Sequence, residues 1–164
     1  MVIKTLVIYY SLDGNTEFVA RAIADKKGAD LFRIETINDY PSDFSRYIIG
    51  GFQALFKIIV KLKPVKINFD EYEEIFIGTP VWAGSLTPPI RSFLEENPVQ
   101  GKRVTLFCTY DGNSGWALKQ LGKMLRGNDI IKCLDFREPL KNKEEVSSRV
   151  EEAVNANNKI NKGV

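Results

Sequence analysis

The stretch YYSLDGNTEFVA, residues 9–20, decides how this chain is read. The apolar run IKTLVIYY ends at Tyr10, and Ser11, Gly14, Asn15 and Thr16 follow in one tight corner. From Thr16 the pattern changes period. Phe18, Val19, Ala22 and Ile23 recur at helical spacing until Gly28 stops the run. A short continuous apolar run of this kind is a central strand covered on both faces, so the corner is a strand-to-helix turn. A helix N-terminus carries unpaired amides and a partial positive charge, and it holds anions. A short loop of Ser, Gly, Asn and Thr lets backbone amides curl around a phosphate, with the Ser11 and Thr16 hydroxyls as added donors. The same residues also suit a plain helix N-cap, and both readings stay open on this stretch alone.

The alternation repeats along the chain. Leu31, Phe32 and Ile34 suggest a second strand. Pro41 breaks the chain, and Ser42 or Asp43 can cap a helix carrying Phe44, Ile48, Phe52, Leu55, Phe56, Ile59 and Leu62. Gly50-Gly51 would kink that helix and Pro64 would end it. Glu74 to Gly78 reads as a third strand, followed by a loop with Pro80, Pro88 and Pro89 and a helix through Ile90, Phe93 and Leu94. Arg103 to Tyr110 is a fourth strand, Asp111 to Gly115 is turn chemistry, and Trp116, Leu121 and Leu125 mark the next helix. A fifth strand lies near Ile130 to Phe136. Val146, Val150, Ala153 and Val154 line a last helix, with fraying expected beyond Val154. This order predicts one α/β domain over 1–164, with helices on both faces of a five-stranded parallel sheet ordered 2-1-3-4-5. The polar corners after strands 1, 3 and 4 then meet at one edge, where such sheets bind ligands.

Composition narrows the chemistry. At 164 residues, with 44% hydrophobic and 27% charged, the chain is long enough to bury one core. No apolar run reaches the roughly 18–20 residues that span a bilayer. The N-terminus reads as a first strand rather than a signal peptide, and a cytoplasmic location is expected. Cys108 and Cys133 fit neither a disulfide framework nor a metal-site spacing. Histidine is absent, which removes His-activated nucleophiles, His acid–base catalysis and His-ligated metals, so redox or transfer chemistry would be a cofactor's. The net charge of +2 is too small to indicate nucleic acid.

Three motifs in register resemble the flavodoxin family: YSLDGNTEFVA, GTPVWAGSLTPPIRSFL (78–94) and VTLFCTYDGNSG (104–115). The resemblance spans nearly the whole chain and implies a flavodoxin-like three-layer sandwich that binds FMN. It implies that Ser11, Leu12, Asp13, Gly14, Asn15 and Thr16 hold the FMN phosphate, through backbone amides and the Ser11, Asn15 and Thr16 side chains. Pro80, Val81, Trp82, Ala83 and Gly84 would run along the isoalloxazine edge, with Trp82 against its face, although Trp82 also suits plain core packing. Thr109, Tyr110, Asp111 and Gly112 would border the pyrimidine end or the second face. The Ala83-Gly84 peptide would reorient to bond the reduced flavin.

Asp13 departs from the Thr, Ser or Arg that the resemblance implies at its position. A carboxylate beside a phosphate dianion costs about 1–4 kcal/mol near a surface. Three outcomes are open: Asp13 turns outward and caps the turn through backbone amides, it lowers FMN affinity, or the site favours a ligand with less phosphate charge. In function, the resemblance implies an electron carrier serving redox partner proteins or a small-molecule acceptor. The alternatives are an FMN-dependent oxidoreductase that reduces quinones or similar acceptors with NAD(P)H, and a binding module with a weak flavin site.

Charge is distributed unevenly. From Phe44 to Phe69 there is no acidic residue, while Arg46, Lys57, Lys61, Lys63 and Lys66 are basic. The simple reading of the segment from Phe44 to Lys63 is a crossover helix that buries Phe44, Ile48, Phe52, Leu55 and Ile59 on the sheet while its lysines snorkel to water. The sharper reading makes segment 44–66 a basic, apolar surface that docks a membrane or an acidic redox partner.

Overall fold

A computed structural model describes residues 3–43 and 45–160 of the chain, with side chains through residue 155. Phe44, expected on the inner face of the second helix, lies outside the described residues. The strands are β1 (Thr5–Tyr9), β2 (Asp30–Arg33), β3 (Glu74–Trp82), β4 (Ser85–Leu86), β5 (Arg103–Tyr110) and β6 (Asp129–Arg137). The helices are α1 (Asn15–Lys27), α2 (Ser45–Leu55), α3 (Pro88–Glu96), α4 (Ala117–Met124) and α5 (Lys143–Ile160). The order across the sheet is β2-β1-β3-β5-β6, with β4 paired to β3 alone. The neighbours along that path run parallel, so the expected topology holds, with the fourth and fifth expected strands now β5 and β6.

All five residues of β1 are buried, as its unbroken apolar run requires. Alternate residues feed the two faces. Val7 and Tyr9 pack with Val19, Ile23, Val146 and Val150, which puts α1 and α5 on one side. Leu6, Ile8 and Tyr10 pack with Ile90, Phe93, Leu121 and Leu125, which puts α3 and α4 on the other. α1 ends at Gly28, whose left-handed φ of 60° lets its amide bond the Ala24 carbonyl. α3 opens on Pro88 and Pro89 behind Thr87, where missing amides cost nothing. α5 continues to Ile160, past the point where fraying was expected.

Two sequence expectations are corrected. First, β3 does not end at Gly78. Its pairing with β5 runs on to Pro80 opposite Thr109, and Val81-Trp82 then folds back antiparallel on Ser85-Leu86. The residues read as a proline loop are therefore a strand and a tight hairpin. Ala83 and Gly84 at its tip have φ of 49° and 68°, the type I′ combination that matches strand twist.

Second, the helix after β2 stops at Leu55 instead of reaching Leu62. Lys57 has φ of 55°, its amide bonds the Ala54 carbonyl, and the Ile58 amide bonds the Gln53 carbonyl. That is a Schellman stop with lysine where glycine is usual, and the sequence carries no mark of it. The chain then runs extended, with Leu62 bridged antiparallel to Thr36 and the Val60 amide bonded to Ser92 Oγ at 2.8 Å. Val60, Leu62, Val65 and Ile67 of this extended segment cover the sheet face assigned to the helix. The simple reading of 44–63 is thereby overturned, because Ile48, Phe52, Leu55 and Ile59 are exposed.

Gly78 tests how tightly β3 fits. A Cβ there would lie 2.0 Å from the Phe107 ring, which is itself fully buried. Gly78→Ala is expected to destabilise the fold by about 1–3 kcal/mol, read as a lower urea midpoint with an unchanged slope.

Candidate functional site

The corners after β1, β3 and β5 meet at the C-terminal edge of the sheet, around a crevice of about 440 Å³. Its walls include Ser11, Leu12, Asp13, Asn15 and Thr16 from the first corner and Pro80 to Gly84 from the hairpin. Thr109, Tyr110, Asp111 and Gly112 come from the third corner. Gly14 is the one expected residue that does not line it; its left-handed φ of 88° instead turns the chain into α1. Three residues that the sequence reading missed join the wall: Tyr47 and Gly51 of α2, and Asn113. Asn113 lay in the turn motif 104–115 and Gly51 in the Gly50-Gly51 pair read as a kink, whereas Tyr47 left no signal. A second cavity continues past Leu12 and Asp13 to Arg46 and Lys141.

The first corner leaves helix amides open to the crevice. The Ser11 hydroxyl accepts the Gly14 amide at 3.1 Å, which closes the loop. The first bond within α1 is from Phe18 N–H to the Gly14 carbonyl, so the amides of Asn15, Thr16 and Glu17 have no partner inside the helix. Thr16 Oγ1 lies 2.7 Å from Thr109 Oγ1, and both side chains are buried, so this hydroxyl pair ties the first corner to the third. Asn15 Oδ1 accepts the Leu140 amide at 3.2 Å, which anchors the corner to the loop before α5.

Asp13 lines the crevice and faces α2, not backbone amides. Arg46 Nη2 lies 3.3 Å from Asp13 Oδ1, and Tyr47 Oη donates to Oδ2 at 3.4 Å. The carboxylate is thus answered across the crevice by α2. Arg46 stacks over the Tyr47 ring at 4.9 Å, and its Nε is buried without a hydrogen-bond partner. An orphaned guanidinium donor beside unpaired helix amides is a donor set that suits a phosphate.

Trp82 is half-buried rather than an open platform. Its six-membered ring lies under α2, where a Cβ on Gly50 would come within 2.8 Å. Tyr10 and Tyr40 meet it edge-on with centroids at 5.8 and 4.9 Å. Burial pushes the Tyr40 phenol up to about 12 and raises the Tyr10 phenol as well, so both stay neutral beside the indole. The hairpin tip is pinned from the other side, where the Trp116 amide donates to the Gly84 carbonyl at 2.7 Å. A Cβ on Gly115 would lie 2.2 Å from that oxygen. Tyr110 lines the crevice while its hydroxyl donates to Asp135 at 2.8 Å. Ser85 and Thr87 are scaffold: Ser85 donates to Gln120, and Thr87 pairs with Thr79. Cys108 and Cys133 are free thiols. No cluster among the described residues is arranged to hold a metal ion, and none of their helices is long and apolar enough to cross a membrane.

This architecture is the flavodoxin-like fold, a parallel sheet between helix layers with its crevice at the ends of β1, β3 and β5. Solved structures agree. A candidate flavoprotein from Bacteroides eggerthii DSM 20697 matches with a TM-score of 0.69 at 28% identity, covering 80% of this chain and 87% of that one. A flavoprotein from Lactobacillus acidophilus NCFM, crystallised in complex with FMN, matches with a TM-score of 0.71 at 23% identity over 85% of this chain and 97% of that one. Oxidised flavodoxin 2 from Bacillus cereus matches with a TM-score of 0.60 at 18% identity over 91% and 93%. The sequence matches no family model and no curated protein.

The contact of α2 with the hairpin predicts a local effect. Gly50→Val is expected to push α2 off Trp82 and destabilise the fold by about 1–3 kcal/mol. In a Trp116→Phe background, the same substitution should red-shift the remaining indole emission.

Proposed function

We propose that this chain binds FMN in the crevice and works as an electron-transfer protein. The observation that supports this most is the convergence of three polar corners on one cavity whose first corner offers unpaired helix amides, with Arg46 lining the adjoining cavity past Asp13. A crevice of about 440 Å³ suits a ligand of this size. The amides of Asn15, Thr16 and Glu17 would hold the phosphate, with Arg46 as counter-charge once Asp13 is turned aside. Trp82 and Tyr110 would bound the ring, and the hairpin tip would lie at its edge.

Bound FMN would supply the redox chemistry, and the chain would set its environment. The missing histidine fits a protein whose own side chains need no proton relay at neutral pH. The Ala83-Gly84 peptide would present its carbonyl or its amide to the ring. The pinned Gly84 carbonyl on the far side would hold the tip in place as it does so.

The test is an absorption titration of the purified chain with FMN, followed by stepwise anaerobic reduction. Saturable binding with shifted flavin bands supports the reading, and no binding at micromolar FMN would refute it. Steady oxidation of NAD(P)H by the isolated protein would favour the oxidoreductase over the carrier. Arg46→Gln is expected to weaken FMN binding by about tenfold, the scale of one charge-assisted bond. Asp13→Thr is expected to bind FMN as tightly or more tightly, because it removes a like charge and releases Arg46. Gly84→Val, at φ of 68°, is expected to retain binding and lower the first reduction potential in a spectroelectrochemical titration.

A further inference from the structure

Among the described residues, nine of the twelve exposed large hydrophobic side chains fall between Ile37 and Ile59. Scattered exposure is ordinary on a soluble protein, whereas a concentrated patch marks a binding surface. Here the patch has a structural cause. α2 turns Gly50 and Ala54 inward, so Ile48, Phe52, Leu55 and Phe56 are left on the outside, each more than half exposed. The Phe52 and Phe56 rings pair at 4.5 Å and make one apolar ridge. The Gln53 amide oxygen is held by the Tyr40 hydroxyl, which it accepts at 2.8 Å.

From α2 onward the patch is also one-sided in charge: Asp39 and Asp43 stand before the helix, and no acidic residue lies between Phe44 and Phe69. Lys57, Lys61 and Lys66 are exposed in the segment that continues from α2. They enter no ion pair among the described residues, whereas Lys63 pairs with Glu35 at 3.0 Å. Two copies of this chain meeting here would bring like charges together, which disfavours a self-contact. Protein interfaces concentrate Tyr, Trp and Arg at their centres and deplete Lys. A ridge of Ile, Leu and Phe next to unpaired lysines is instead the composition of a helix lying in a membrane interface, its rings among the acyl chains and its ammonium groups at the phosphates.

We propose that the outer face of α2 and the lysines of 57–66 dock this protein on an anionic phospholipid surface. Tyr47 and Gly51 on the same helix line the crevice, so docking holds the crevice within about a helix diameter of the bilayer. The inference does not depend on the flavin reading, and its test uses no flavin.

The test is co-sedimentation of the full chain at low salt with phosphatidylcholine vesicles, and with vesicles in which about a third of the lipid is phosphatidylglycerol. Sedimentation with the anionic vesicles alone, reversed by raised salt, is the expected result. Lys57→Gln/Lys61→Gln/Lys66→Gln should lower the partition coefficient by about tenfold or more. Phe52→Ser/Phe56→Ser should abolish sedimentation, and Phe52→Leu/Phe56→Leu should keep it. Every replaced side chain is exposed, so the variants should keep the wild-type circular dichroism. Failure of the wild type to sediment with anionic vesicles would overturn the proposal, and so would undiminished sedimentation of the serine variant. A concentration-dependent dimer abolished by the serine substitutions, without vesicle binding, would also overturn it and assign the face to a second copy. Binding only to an acidic protein would overturn it in favour of a redox partner.

Discussion

The contact between Gly50 and Trp82 organises this end of the molecule. A helix can rest on the face of an indole only where it presents no side chain, and a Cβ on Gly50 would stand 2.8 Å from the ring. Because α2 is seated there, Tyr47 and Gly51 close one wall of the crevice and Arg46 reaches Asp13. The hairpin carrying Trp82 is held between α2 above and the Gly115-Trp116 backbone behind. The same seating sets the character of the outer surface. With its small residues spent on the indole, α2 has no way to bury Ile48, Phe52 and Leu55. The crevice wall and the exposed apolar ridge are two consequences of one packing choice.

The electrostatics of the first corner follow from that arrangement. A phosphate cradle gains from unpaired amides and loses from a nearby carboxylate. Asp13 sits in the loop, yet its two oxygens face Arg46 and Tyr47, so its charge is partly spent before any ligand arrives. Arg46 then has two roles open to it, partner of Asp13 and partner of a bound anion. Its orphaned Nε indicates that the first role leaves donor capacity unused.

Most of the fold was legible because its signals are local. β1 read as an unbroken apolar run, α1 as a change of period ending on Gly28, and β5 as Arg103 to Tyr110. The corners after alternating strands were legible, and the parallel topology brings all of the expected residues but Gly14 to the crevice wall. Two features escaped because their cause is not local. The stop of α2 depends on Lys57 adopting a left-handed backbone that glycine would have advertised. The hairpin at Ala83-Gly84 likewise places alanine at its first left-handed position, and the prolines around it suggested a loop. That Tyr47 and Gly51 line the crevice was not legible for a related reason. An apolar helix is expected to turn its large side chains inward, and the steric demand of Trp82 reverses that here.

Of the three described non-glycine residues with left-handed φ, Lys57, Ala83 and Glu138, the first two stand at the two ends of this assembly. Each carries a conformational cost of about 1–2 kcal/mol. Such positions persist where the surroundings over-determine them, and both here are fixed by backbone bonds: the Schellman pair after Leu55, and the antiparallel hairpin pairing of Val81-Trp82 with Ser85-Leu86. Both costs serve the same geometry. An earlier turn at Lys57 frees the extended segment to cover the sheet with Val60 and Leu62, which is what allows α2 to leave the sheet and rest on Trp82. A tight turn at Ala83 brings Trp82 under that helix and still leaves a peptide at the rim of the crevice. The strain therefore lies where the scaffold gives way to the site, and the apolar ridge of α2 is the outward face of the same construction.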